Sequence, residues 1–245
     1  MRILTIDTSA VASATLLNFE PNDPVRTLSV VGNFATQDTR SHAEVLAPGV
    51  KSLFTDAVIE GPALDAVVVG VGPGPFTGLR SGIAMARTLA FVWDVPLYGL
   101  MSLEALAQQV FDTPRHGLDG RALGPVAMGD FVVATDARRK EVYWARFSAA
   151  AQLMDGPHVG PPTDISDIQV FGAGAGLYRE QLEQTGCEVY SVLADVQPTA
   201  LALGRAAIRR ISVAGSLEAA GLLDTTPLYL RESDAKVPGP RKRAL

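Results

Sequence analysis

The sequence predicts an α/β protein of two lobes, built from a duplicated unit of three strands, a helix, a strand and a second helix. Three observations lead there. Apolar runs with strand character open both halves and each ends in an aspartate: Ile3 to Ile6 before Asp7, and Phe131 to Thr135 before Asp136. A strand, a glycine turn and a helix then recur in corresponding places, first over Val67 to Ala90 and again from Ile168 through Gly172-Ala173-Gly174-Ala175-Gly176 to Gln184. Finally, 245 residues that are 47% hydrophobic suffice for one large domain or two of about 120 residues, each with its own core.

The first half reads as follows. Ile3 to Ile6 is a strand, Asp7-Thr8-Ser9 a polar turn, Ala12 to Leu17 a second strand, and Arg26 to Gly32 a third beyond the turn at Asn22 to Pro24. Three strands before any helix imply antiparallel pairing. A polar loop over Gln37 to Arg40 leads to Ser41 and Glu44, which have capping-box spacing, and a helix carrying Val45, Leu46, Val50, Leu53 and Phe54, with Pro48 expected to bend it. Asp65 to Val71 is a strand, Gly72-Pro73-Gly74-Pro75 a turn that cannot be helical, and Thr77 to Trp93 a helix capped by Thr77. Val95 to Leu100 is a strand and Ser102 to Val110 a helix capped by Ser102.

Phe111 to Gly129 has no periodicity and reads as a linker or surface loop. In the second half, Glu141 to Phe147 alternates as a strand, Ala151 to Met154 supplies another, and a short helix is expected near Asp164 to Asp167. After the glycine turn come a strand at Val189 to Val192 and a long helix over Thr199 to Ile211. The expected lobes are residues 1–110 and 111–214, with the segment 215–232 returning to the first lobe and 233–245 forming a disordered basic tail.

Several function classes are excluded. No apolar run approaches the roughly 20 residues of a bilayer span, and the opening MRILTIDTSA turns polar at Asp7, so neither a membrane span nor a signal peptide is expected. A single cysteine, Cys187, rules out an internal disulfide and a multi-cysteine zinc site; it reads as a small core residue, and cytoplasm is the expected compartment. His42, His116 and His158 are far apart with no second histidine one turn away, and no GxSxG is present, so no metal and no cofactor are expected. The net charge of -5 argues against broad nucleic-acid binding, although the tail gathers Arg241, Lys242 and Arg243.

Four features carry chemistry with two readings each. Gly72, Gly74 and Gly78 stand at intervals of two and four, which is neither a P-loop nor a dinucleotide fingerprint; the turn either meets a phosphate at the helix start or packs closely on its own backbone. Gly78, Gly82, Ala86 and Ala90 make a stripe of small residues, which suits close approach by another helix or, at a cost in helix propensity, by the chain's own sheet; helix contact is the reading adopted. Asp7 and Asp136 either hold a metal-nucleotide in a cleft or serve turn chemistry, and the latter is favoured. Arg138-Arg139-Lys140 either meets phosphates of RNA or a nucleotide, or is a solvated hairpin tip, the safer reading.

Taken together, Ile3-Leu-Thr-Ile-Asp7-Thr-Ser, Arg40-Ser-His42-Ala-Glu44, Gly72-Pro-Gly-Pro-Phe-Thr-Gly78-Leu-Arg80-Ser-Gly82, Asp136-Ala-Arg-Arg-Lys-Glu-Val-Tyr143 and Pro227-Leu-Tyr-Leu-Arg231 resemble the TsaB, or YeaZ, family. The resemblance implies the actin-like, sugar kinase and heat-shock chaperone (ASKHA) fold. It implies a non-catalytic scaffold that binds and activates the TsaD threonylcarbamoyltransferase, in formation of N6-threonylcarbamoyladenosine at position 37 of tRNAs reading ANN codons. TsaD holds a metal through histidines on a helix, where this chain has only His42.

The family also implies a homodimer in the absence of TsaD, addition of the ATPase TsaE, indirect contact with tRNA, and no membrane. Its interface is formed by the first two helices. On this chain that surface is His42, Glu44, Val45, Leu46 and Val50, with Gly78, Leu79, Gly82, Ile83, Met85, Ala86 and Ala90. The nucleotide cleft of the wider superfamily would fall on Asp7, Thr8, Ser9 and Asp136, but no glycine-containing phosphate hairpin follows Asp7. A nucleotide-dependent small-molecule kinase or ATPase of the same fold is the alternative. A protease reading finds neither a metal site nor a nucleophile with its base.

Overall fold

In the computed structural model, which describes residues 1–36, 42–56, 63–116 and 122–231, two five-stranded sheets share one topology. The first comprises β1 (Arg2–Asp7), β2 (Ser13–Asn18), β3 (Ser29–Ala35), β4 (Ala66–Gly70) and β5 (Leu97–Leu100), in the order β3-β2-β1-β4-β5. β1 to β3 pair antiparallel, with Asp7 opposite Ser13, while β4 and β5 run parallel to β1. Strands β1 and β4 lie at the centre, which is why they read as unbroken apolar runs rather than alternating ones. Helices α1 (His42–Asp56), α2 (Phe76–Trp93) and α3 (Ser102–Asp112) follow β3, β4 and β5.

A two-stranded ribbon of β6 (Pro114–His116) and β7 (Ala122–Pro125) occupies part of the segment expected to be a linker. The second sheet comprises β8 (Phe131–Asp136), β9 (Val142–Phe147), β10 (Leu153–Gly160), β11 (Gln169–Phe171) and β12 (Glu188–Val189), in the order β10-β9-β8-β11-β12. Its helices are α4 (Ala173–Leu177) and α5 (Arg179–Gln184), then α6 (Ala200–Ala214). The duplicated two-lobed α/β architecture is the one the sequence predicts. The helix expected near Asp164 to Asp167 is a single 3-10 turn over Pro162–Asp164.

Two expected caps are corrected. α2 begins at Phe76 on Pro75, with no side-chain cap, so Thr77 is inside the helix. α3 is preceded by Met101, and the Ser102 hydroxyl is used elsewhere. Thr199, by contrast, caps α6 by accepting from the Ala202 amide at 3.3 Å.

Each sheet takes one helix from the other half of the chain. α3 places Leu103, Leu106 and Val110 against Phe131, Phe147 and Phe171 of the second sheet, so a boundary at residue 110 falls inside a helix that spans both lobes. α6 returns to the first sheet, burying Leu203, Ile208 and Ile211 against Ile3, Leu17 and Val68, each apolar side chain contributing about 1.5–3 kcal/mol. The Thr5 hydroxyl donates to the Ala200 carbonyl at 2.7 Å, and the Ala200 amide donates to Ser13 Oγ at 2.9 Å.

Beyond α6 the chain crosses the first lobe. Gly99 and Leu223 exchange backbone hydrogen bonds of 2.7 and 2.8 Å, and the Leu228 amide donates to the Val71 carbonyl at 2.8 Å. Among the described residues no helix is long and apolar enough to cross a membrane.

Candidate partner-binding site

The end of β1 is a closed knot of hydrogen bonds. Asp7 and Thr8 are both 0% exposed and Ser9 is 7% exposed. The Ser9 amide and hydroxyl donate to Asp7 Oδ1 at 2.9 and 2.7 Å, and Ser102 Oγ donates to Oδ2 at 2.7 Å while accepting from the Gly72 amide at 3.2 Å. A buried carboxylate is tolerated when its oxygens are supplied with donors in this way. Asp7 therefore ties the end of β1, the Gly72 turn and α3 together: its bonds from Ser9 are the turn chemistry the sequence favours, and the bond from Ser102 reaches beyond it.

Asp136 sits at the equivalent end of β8 with a side chain 24% exposed. It accepts from the Arg138 amide at 2.8 Å and from Tyr178 Oη at 3.3 Å, and its Oδ2 lies 3.4 Å from the Arg138 guanidinium. Burial and the Asp136 charge raise the pKa values of both Tyr143 and Tyr178, so these phenols stay protonated. Among the described residues no group of three or more His, Cys, Asp or Glu side chains is placed to hold a metal ion.

The small-residue stripe on α2 faces inward, which corrects the helix-contact reading of it. Thr8 donates its hydroxyl to the Gly78 carbonyl at 2.8 Å, and a Cβ on Gly82 would strike Thr8 Oγ1. Leu79 (0%), Ile83 (3%), Ala86 (0%) and Ala90 (6%) are buried with Leu46 (1%) and Val50 (4%) in the lobe's own core. Periodicity located the stripe, but its small residues admit the sheet rather than a partner. Of the interface residues named from the sequence, Glu44 is exposed and Val45 and Met85 are half-buried; the His42 side chain falls outside the described residues.

The outward face of α2 has a different composition. Its two charged residues, Arg80 and Arg87, are both engaged by the returning chain: Arg80 Nε donates to Tyr229 Oη at 3.0 Å and its guanidinium lies 3.6 Å from the Phe76 ring centroid, while Arg87 Nε donates to Thr225 Oγ1 at 2.9 Å. Phe76 and Tyr229 stack at 4.8 Å. Between those arginines and α1 runs an uncharged row, Ser81, Ala84, Met85, Thr88 and Val92, at the spacing of one helix face. Phe91 and Val92 at its end are 87% and 67% exposed. Phe54 of α1 packs on Trp93 at 5.0 Å, which fixes α1 beside this row. Sequence reasoning reached Met85 but not Ser81, Ala84, Thr88 or Val92, because it followed the small-residue stripe; the signal available was the confinement of charge on α2 to Arg80 and Arg87.

The duplicated sheets, with helices exchanged between lobes and an aspartate ending each first strand, define a protein of the ASKHA-like class. The family model for "TsaD: tRNA N6-adenosine threonylcarbamoyltransferase" matches residues 29–238. An uncharacterised protein of Mycobacterium tuberculosis is 36% identical over 213 residues, spanning 85% of this chain and 84% of that one. The tRNA threonylcarbamoyladenosine biosynthesis protein TsaB of Bacillus subtilis is 34% identical over 155 residues, 63% of this chain and 58% of that protein. The structure of YeaZ from Pseudomonas aeruginosa aligns with a TM-score of 0.65 at 26% identity, covering 94% of this chain and 100% of that one. The chain belongs to the family of that model, as one of its TsaB/YeaZ members.

Proposed function

We propose that this chain acts in formation of N6-threonylcarbamoyladenosine in tRNA as a non-catalytic subunit, binding a TsaD-type transferase through α1 and the outward row of α2 and holding it in its active form. The observation that carries this reading is the uncharged row of α2, in which Ala84, Thr88 and Val92 are exposed and Ser81 and Met85 half-buried, with Phe91 at 87% exposure at its end. A face that lacks charge and carries Met85 with an exposed phenylalanine matches the charge-depleted, Met- and aromatic-enriched centre of an interface. In the absence of the transferase the same face joins two copies of this chain, and a TsaE-type ATPase adds to the assembled pair.

A kinase or ATPase reading requires a carboxylate able to meet a metal-nucleotide. The donors on both oxygens of Asp7 weigh against it. Titration calorimetry with ATP and magnesium separates the two: binding followed by turnover by this chain alone favours the kinase-like reading.

The scaffold reading is tested by co-purification with the TsaD homologue of the same cell. Ala84→Arg places charge on an exposed position of the row and abolishes the pair while the isolated chain stays folded. Met85→Glu, at a half-buried position that packs against the core, also abolishes the pair, with its melting profile checked beside that of Ala84→Arg. Retention of the pair by both variants removes this face from the interface.

A further inference from the structure

Arg138, Arg139 and Lys140 form the tip of the β8–β9 hairpin, and all three are exposed with positive φ, at 62°, 54° and 63°. A side chain crowds its own backbone in that region, which is why tight hairpins favour asparagine and glycine there. Here three cations occupy it in succession. Such strain persists where the surroundings impose it, and the imposing groups are identifiable. The Arg138 amide donates to Asp136 Oδ1 at 2.8 Å, Ala137 and Glu141 close the turn through a 2.9 Å backbone bond, and Arg231 donates to the Ala137 carbonyl at 3.0 Å while pairing with Glu141.

The returning chain extends this patch onto the other lobe. Tyr229, which holds Arg80, precedes Arg231 by two residues, a chain reach of about 7 Å. Among the described residues, the cations Arg80, Arg138, Arg139, Lys140 and Arg231 thus outnumber the carboxylates Asp136 and Glu141 beside them, in a protein whose net charge is -5.

We propose that this patch, led by Arg139 and Lys140, binds phosphates of the tRNA backbone. The proposal rests on the reading that the chain works on tRNA. A docking surface for an acidic protein would be expected to carry an apolar centre; no apolar side chain stands among the three residues of the tip, and the aromatic pair of the patch, Tyr229 and Phe76, is taken up by stacking on itself and by Arg80. Phosphate binding requires only charge and reach, both of which a projecting turn of arginine and lysine supplies. Readout of bases is not involved, so the contact positions tRNA rather than selecting it.

The test measures affinity for a fluorescent, unmodified tRNA transcript as a function of salt, using the full chain alone and paired with its TsaD homologue. With Arg139→Glu and Lys140→Glu combined, affinity at low salt falls about tenfold or more, and the dependence of log affinity on log salt becomes shallower by about 1.5, the loss of two phosphate contacts. The double Gln variant moves both readouts in the same direction to a smaller extent, and Arg139→Lys retains binding. All variants keep the wild-type melting profile and the TsaD pair. Unchanged affinity and slope in the double Glu variant, or no tRNA binding by the wild type in either form, overturns the proposal. So does loss of the pair instead of tRNA, which would make the tip a protein contact. Should wild type bind tRNA through the tip and yet form no pair, the phosphate patch stands and the scaffold reading falls.

Discussion

Thr8 and Gly82 are fitted to each other: the Thr8 hydroxyl donates to the Gly78 carbonyl at 2.8 Å, and Thr8 Oγ1 fills the space a Cβ on Gly82 would enter. α2 therefore lies directly over the end of β1. The glycine sacrifices roughly 1 kcal/mol of helix propensity relative to alanine, which the close packing offsets.

Gly82→Ala is accordingly expected to destabilise the protein by about 1–2 kcal/mol, because overpacking of a filled site exceeds the gain in propensity. Urea unfolding measures it. Combined with Thr8→Ala the loss is smaller than the sum of the single changes, as residues in contact couple. Additive losses would show that the two side chains are not competing for one space.

Ser102→Ala removes one donor from Asp7 Oδ2 and one acceptor from the Gly72 amide, both buried. Leaving such groups unpaired costs about 1–3 kcal/mol. Loss of an N-cap alone costs about 0.5–2 kcal/mol, an overlapping range, so a double-mutant cycle with Asp7→Asn separates the roles: coupled losses place the hydroxyl on Asp7, and additive losses place it on the helix end. Partner binding is expected to survive it, since Ser102 is 0% exposed.

Glu104 gives a pH signature. Its carboxyl lies on α3 at 4% residue exposure, 2.8 Å from the Arg210 guanidinium of α6, and burial raises its pKa above 4.5 in spite of Arg210 and Arg209. A raised folded-state value means the folded protein holds this proton more tightly than the unfolded chain does. The group's contribution is therefore greatest below about pH 4.5 and is lost as pH rises through the folded value. Glu104→Gln removes that dependence, so wild type minus variant stability, measured by denaturation between about pH 4 and pH 7, declines with rising pH. A rising difference would mean that the ion pair with Arg210 outweighs burial.

Much of the fold is legible in the sequence because its central strands are long apolar runs. Ile3 to Ile6, Val67 to Val71 and Phe131 to Thr135 each give the position of a buried strand, and the recurrence of elements gives the duplication. The direction in which the α2 stripe points is not legible, since small residues every four positions suit a partner helix and an adjoining sheet equally. Ser102 misleads for a related reason: its hydroxyl serves either a local cap or a bond to Asp7, 95 residues away, with the same atoms. Pairing of Arg80 with Tyr229 spans 149 residues and leaves no periodic trace, so the returning segment's grip on α2 emerges only from the coordinates of both. The ribbon β6–β7 is hidden by its Gly and Pro content.

The most direct test of the account is co-purification of this chain with its TsaD homologue, followed by a tRNA threonylcarbamoylation assay with wild type, Ala84→Arg and no added chain. The account predicts that wild type forms the pair and that modification requires it, while Ala84→Arg remains folded and loses both pair and modification. Modification proceeding unchanged without the chain, or an intact pair with Ala84→Arg and Met85→Glu alike, would contradict it.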